Sequence, residues 1–183
     1  MATKAPARDH IDEMLDVWKR EIPDLDKLTE GIIERIQILS WNFNHALDEV
    51  LEEVELDRRE FGLLGKLRRH GPPYRASAGK LAADLRLSSG AITNRLDRME
   101  AAGLIRRMPD PNDRRGTLVE PTEKGHKAWD ETVGASARSE AAATGVLSET
   151  EKVQLHDLLR DLMQAFPDWK QKKHSQPVAD SDE

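Results

Sequence analysis

Apolar side chains recur along this chain at helical spacing for most of its length. Ile11, Met14, Leu15, Trp18 and Ile22 mark a first amphipathic helix, opened by Asp9 and closed by Pro23. Leu25, Leu28, Ile32, Ile36, Phe43, Leu47, Val50 and Leu51 then sustain the period, with Ile33, Leu39 and Trp41 widening the stripe. So long and broad an apolar face exceeds the needs of a small domain and points to an interface between subunits; a helix inside a monomeric bundle is the alternative. A third helix starts near Asp57, places Phe61, Leu64 and Leu67 inward, and stops at His70-Gly71-Pro72-Pro73. Near the end, Ser148-x-x-Glu151 is a capping box for a helix through Val153, Leu155, Leu158, Leu159, Leu162, Met163 and Phe166, with Pro167 as its stop.

The pattern changes between Ala76 and Gly125. Leu81 and Leu85 make Ser77–Leu85 a short helix, Leu87 breaks the period, and Ser88-Ser89-Gly90 signals a turn and a helix start. Ile92, Leu96 and Met99 form one stripe of a second helix, with Gly103 as the residue just past its end. Opposite that stripe lie Gly90, Asn94 and Arg98, with Thr93 and Arg95 on the flanks. Small residues at the start let a helix enter a major groove. Asn and Arg tips can make bidentate contacts to base edges, and Ser88 and Ser89 can bond phosphates. An ordinary solvated face is the alternative.

A hairpin follows. Ile105–Met108 alternates like a strand and Thr117–Glu120 is a second β-prone run, joined by a turn-rich tip from Pro109 to Gly116. Two short helices followed by a basic hairpin make a winged helix-turn-helix. Arg114 or Arg115 suits a narrow minor groove, oriented by Asp113 through a charge-assisted hydrogen bond; a surface turn without a partner is the alternative.

The stretch SSGAITNRLDRMEAAGLIRR, followed after one residue by PDPNDRRGTLVEPTEKG, resembles the recognition helix and wing of the MarR (multiple antibiotic resistance regulator) family. The resemblance covers most of Leu28–Phe166. It implies a mainly α protein with a small β wing, whose N- and C-terminal helices interleave in a homodimer on double-stranded DNA. The two recognition helices would then stand about 34 Å apart, and the operator would be a pseudo-palindrome. One departure is Pro121-Thr122 where the family usually returns through Leu-Thr; a proline there predicts a second wing strand that ends a residue early.

Charge changes the picture next. The chain of 183 residues carries a net charge of −6, the wrong sign for a DNA binder. Residues 58–115, however, hold 14 Lys+Arg against 6 Asp+Glu, leaving 14 and 28 for the remainder. A lobe of +8 in a frame of −14 is the footprint of a nucleic-acid binder. Cysteine is absent, which excludes thiol redox sensing, disulfides and Cys-based zinc sites. No run approaches a transmembrane length and the N-terminus lacks the apolar core of a signal peptide, so no membrane is expected and the compartment predicted is the cytoplasm.

The extra helix before Pro23, with Trp18 and the PPYR and SSGAITNRLDR stretches, makes the chain similar to the urate-responsive branch of the MarR family. That resemblance implies a pocket for a small anionic or aromatic effector at Trp18, Arg95 and Arg107. Other roles stay open: Trp18 as a core anchor of the dimer base, Arg107 as a phosphate contact or a solvated strand residue. The branch tends to carry an acidic residue where this chain has Gly62, so urate would lose a partner and another acid could be the effector.

The six histidines are scattered, with no HExxH spacing, nucleophile elbow or phosphate-binding glycine loop, so no catalysis, cofactor or metal is expected. The domain plan reads as a disordered tail (1–8), N-terminal dimerisation helices (9–56), a winged helix-turn-helix lobe (57–121), C-terminal dimerisation helices (122–166) and a second disordered tail (167–183). The function read from this plan is a DNA-binding transcription regulator, a repressor of a nearby operon. A winged-helix module that binds only proteins is the rival, and it would need none of the outward arginines.

Overall fold

A computed structural model of the chain describes residues 7–111 and 113–175; the side chains of residues 114, 115 and 166–175 are outside the description. Two compact units divide it, one up to Ala137 and the other from Arg138 onward.

In the first unit, α1 (His10–Glu21) lies on α2 (Lys27–Glu53). Asp9 caps α1 and forms a capping box with Asp12. Arg35 of α2 then grips both carboxylates, at 2.8 Å from Asp9 and 2.9 Å from Asp12. Lys27 and Arg8 together hold the Asp16 carboxyl at a pKa of about 2. Ile11 and Leu15 are buried beneath these ties, whereas Leu28, Ile32, Leu39, Trp41 and Phe43 of α2 remain exposed.

Asp57 caps α3 (Arg58–Arg69), with Glu60 closing a second capping box. Next come β1 (Ala76–Ser77), α4 (Ala78–Leu85) and α5 (Ser89–Ala101). Ser77 caps α4 and Ser88 caps α5. Gly103, at φ +71°, ends α5 as expected. Its N–H donates to the Glu100 carbonyl and the Leu104 N–H to that of Met99, the paired bonds of a Schellman motif. Leu104 and Met99 are both buried, the apolar contact that accompanies this motif.

The hairpin is β2 (Ile105–Asp110) with β3 (Asp113–Pro121), and the sheet order is β1-β3-β2, antiparallel throughout. Two expectations need correction here. The wing strands run further than the patterning implied: pairing reaches Asp110 opposite Asp113, so the tip is shorter than Pro109–Gly116. Pro121 does not end β3 early either. It stands opposite Ile105, and the next residue, Thr122, donates its N–H to the Leu104 carbonyl at 3.0 Å. That bond makes Ile105 and Pro121 a non-hydrogen-bonded pair, so the donor that proline lacks points away from β2. The strand β1, two residues long, escaped prediction because so short a segment has no period to read.

The core of the lobe gathers Leu63, Leu64 and Leu67 of α3, Leu81 of α4, Ile92, Leu96 and Met99 of α5, and Ile105 and Val119 of the sheet, each at most 3% exposed. Thr122 starts α6 (Glu123–Thr144) by accepting the Gly125 N–H on its hydroxyl.

In the second unit, Ser148 and Glu151 form the expected capping box of α7 (Glu149–Ser175). Pro167 was the predicted stop, but the helix continues to Ser175. A proline inside a helix removes one hydrogen bond and crowds a carbonyl, a cost of about 3 kcal/mol. The residues that follow, Lys170, Gln171, Lys172 and Lys173, are strong helix formers that favour continuation. Leu158 and Met163 of α7 are exposed. The outer parts of both predicted tails, residues 1–6 and 176–183, lie outside the described residues.

Candidate nucleic-acid interface

Helix α5 turns Ile92, Leu96 and Met99 inward and leaves Ser88, Ser89, Gly90, Thr93, Asn94 and Arg98 exposed, while Arg95 is partly buried. Local chemistry fixes what each side chain can still offer. The Ser88 hydroxyl accepts the Ala91 N–H at 3.3 Å, so its own proton is free to donate outward. Thr93 donates to the Ser89 carbonyl at 2.9 Å and keeps its lone pairs as acceptors. A Cβ added at Gly90 would meet nothing within 4 Å, so the fold itself does not require glycine there. The small residue leaves room for something outside the protein.

The wing root is tied to this helix by one side chain. Arg107 faces inward from β2, 2.7 Å from Asp97 and 3.6 Å from Glu100, with the Thr93 carbonyl at 3.4 Å. Its backbone N–H also donates to Glu100 at 2.9 Å. Of the effector residues inferred by resemblance, Arg107 lies on the flank of α5 that carries Thr93, Asp97 and Glu100, whereas Arg95 is on the opposite flank of that helix. Trp18 is 40% exposed on α1, and the polar contacts described for Arg107 all lead to α5. At the tip, Asp113 is exposed, and the side chains of Arg114 and Arg115 lie outside the described residues.

Arg106 faces the other way. With Arg75, the residue before β1, it holds Glu120, whose side chain is 5% exposed, in a row across the sheet. Burial alone would push the Glu120 carboxyl up; hydrogen bonds from Arg75 and Arg106 outweigh it and hold it below the usual value.

This pairing refines the charge argument. Within the basic lobe, Arg58 is bound to Asp48, Arg68 to Asp130 and Lys80 to Asp84, and Arg75, Arg106 and Arg107 are committed as above. Arg86, Arg95 and Arg98 carry no ion pair or side-chain hydrogen bond among the described residues; Arg86 stands at the turn of the helix-turn-helix, Arg98 on the outer face of α5 and Arg95 on its flank. Arg86 was missed by sequence reasoning. It caps α4 in the left-handed region, at φ 54°, and is exposed two residues before Ser88. An arginine two residues ahead of a Ser-Ser-Gly helix start was the available signal.

Three helices wrapped on a three-stranded wing, with a polar, arginine-bearing second helix, define a winged helix-turn-helix protein. The MarR family model matches residues 56–117. The transcriptional regulator PecS of Dickeya dadantii is 35% identical over 152 residues, covering 81% of this chain and 90% of that protein. The chain belongs to the MarR family of helix-turn-helix transcriptional regulators. The transcriptional repressor NicR of Pseudomonas putida is 31% identical over 111 residues, covering 61% and 68%. Among solved structures, YusO from Bacillus subtilis shares the fold at a TM-score of 0.68 and 24% identity, over 78% of this chain and 99% of that one. A MarR mutant from E. coli, complexed with operator DNA, is similar at 0.57 and 25% identity, over 76% and 98%.

Proposed function

We propose that this protein is a homodimeric, sequence-specific DNA-binding regulator of the cytoplasm, a repressor of a nearby operon that a small anionic or aromatic ligand releases. The observation that carries the DNA reading is the outer face of α5. Gly90, Thr93, Asn94 and Arg98 present small and bidentate groups, while Arg86, Arg95 and Arg98 stay uncommitted in a lobe whose other described arginines pair with carboxylates or lie away from that face. In this reading Ser88 and Ser89 bond phosphates with Arg86 beside them. Arg114 or Arg115 enters the minor groove with Asp113 as its orienting partner. Residues 57–121 form the DNA lobe, and 9–56 with 122–166 form the dimerisation region. The exposed apolar rows on α2 and on α7 are what a second copy of the chain would cover. A MarR relative complexed with operator DNA supports the same mode.

The effector reading rests on Arg107 against one flank of α5 and Arg95 on the other, with Trp18 as the aromatic wall. A ligand oxyanion that drew Arg107 from Asp97 and Glu100 would free the wing root from the recognition helix. Asp97 and Glu100 supply carboxylates to Arg107 despite Gly62, and a Cβ at Gly62 would meet nothing within 4 Å, so the packing does not demand glycine there.

Fluorescence anisotropy on the DNA upstream of the protein's own gene, at fixed salt, with urate and a panel of aromatic acids, tests both parts. Tight binding lost with one compound supports them. Tight binding indifferent to every compound removes the effector reading. No binding there or to any sequence from a random-site selection removes the DNA reading.

A further inference from the structure

The outward face of the wing root holds a cleft apart from the residues invoked above. A cleft of about 390 Å³ opens there, lined by Pro73, Arg75, Arg106, Glu120, Pro121, Thr122, Glu123 and His126, so it lies between the sheet and the start of α6. It shares no lining residue with Trp18, Arg95 and Arg107. Arg106 and Arg107 are consecutive on β2 and face opposite sides of the sheet.

The cleft's chemistry is that of an oxyanion receptor. Glu120 at its floor orients two guanidinium groups at once: Arg75 donates to it through Nε, and Arg106 through Nε and one terminal nitrogen. Both terminal nitrogens of Arg75 and one of Arg106 remain as donors on side chains 41% and 65% exposed. Two cations share one buried carboxylate, so the floor carries a unit of excess positive charge. Glu123, exposed at the start of α6, is the opposing charge on the rim. His126 adds a donor: Arg68 cannot accept, so its 3.1 Å contact with Nδ1 makes that nitrogen the acceptor, and the neutral ring carries its proton on Nε2. Tyr74 and Arg68 hold the ring in place, Tyr74 edge-on at 5.2 Å. Pro73 and Pro121 are the apolar wall.

We infer that this cleft binds a small organic carboxylate, its oxyanion across Arg75 and Arg106 and its apolar body against Pro73 and Pro121. The site is independent of the effector pocket proposed above. A phosphate of the DNA backbone has similar anionic chemistry and is the competing occupant.

The test is isothermal titration of the full-length protein without DNA, with benzoate and inorganic phosphate as probes. Saturable binding of one benzoate per chain is expected. Arg106→Gln should weaken it about tenfold, by loss of a charge-assisted bond. Glu123→Lys should strengthen it several-fold by adding charge at the rim; this gain cannot come from misfolding. The inference is overturned if benzoate shows no saturable binding, or if neither Arg106→Gln nor Glu123→Lys alters its affinity. It is also overturned in favour of DNA phosphate if inorganic phosphate binds and benzoate does not, and Arg106→Gln lowers the salt slope of DNA binding by about one.

Discussion

The guanidinium of Arg107 lies 2.7 Å from the carboxylate of Asp97, so the root of the wing and the middle of the recognition helix are one electrostatic unit. Arg107 is 24% exposed and also spans to Glu100, a fork that a lysine cannot reproduce. Arg107→Lys keeps the charge and loses the geometry. DNA affinity should fall several-fold with an unchanged salt slope; retained affinity would make Arg107 a plain phosphate contact.

Gly90 separates folding from recognition. With open space around its Cβ position and a helical backbone, Gly90→Ala should leave the protein as stable or up to about 1 kcal/mol more so in denaturant titrations. The same methyl should weaken operator binding if α5 presses its first turn into a groove. A variant more stable and equally tight on DNA would place the contact elsewhere.

Gly125 is required by the fold. A Cβ there would stand 2.0 Å from the Leu104 carbonyl oxygen, the same oxygen that accepts the Thr122 N–H. Backbone must move to admit a methyl, so Gly125→Ala should cost about 3 kcal/mol or more in chemical denaturation. A loss below about 1 kcal/mol would mean that α6 starts further from α5 than described.

Glu120 gives the lobe an acid-sensitive component. Its folded carboxyl titrates below the usual 4.5, so its contribution is complete above that value and is lost as pH falls through the lower folded value. Glu120→Gln should cost about 1–3 kcal/mol at neutral pH, tempered because both arginines reach water. The gap between variant and wild type should narrow below about pH 4.5. A gap independent of pH would show that the carboxylate charge is not what matters.

Leu158 tests the subunit interface. It is 67% exposed on α7, so Leu158→Glu should not unfold the chain, yet it should convert a dimer to a monomer in sedimentation. A dimer that survives it, with Met163→Glu equally silent, would move the interface off this face.

Local signals were legible in the sequence and distant ones were not. Asp9, Ser88, Gly103 and Ser148 act within a few residues of themselves, and each caps or ends its helix as its residue type dictates. The inward stripe of α5 was equally plain, because its period is a property of one segment. The Arg75–Glu120–Arg106 row was invisible, since it joins residues 45 and 14 positions apart that only the sheet register aligns. The same holds for Arg107 on Asp97. Counting charges along the lobe gave its net charge, but it could not reveal that several of those arginines face carboxylates of the protein itself.

The consecutive arginines of β2 also bear on how the wing finds its alignment. Sliding β2 by one residue would put Arg107 in the place of Arg106, opposite Glu120, and Arg106 in the place of Ile105. Glu120 would meet an arginine in either pairing, so it discriminates poorly between them. Ile105 breaks the tie: it is 2% exposed in the native pairing and would be thrown into water by the slip. Proofreading of this hairpin falls to one aliphatic side chain.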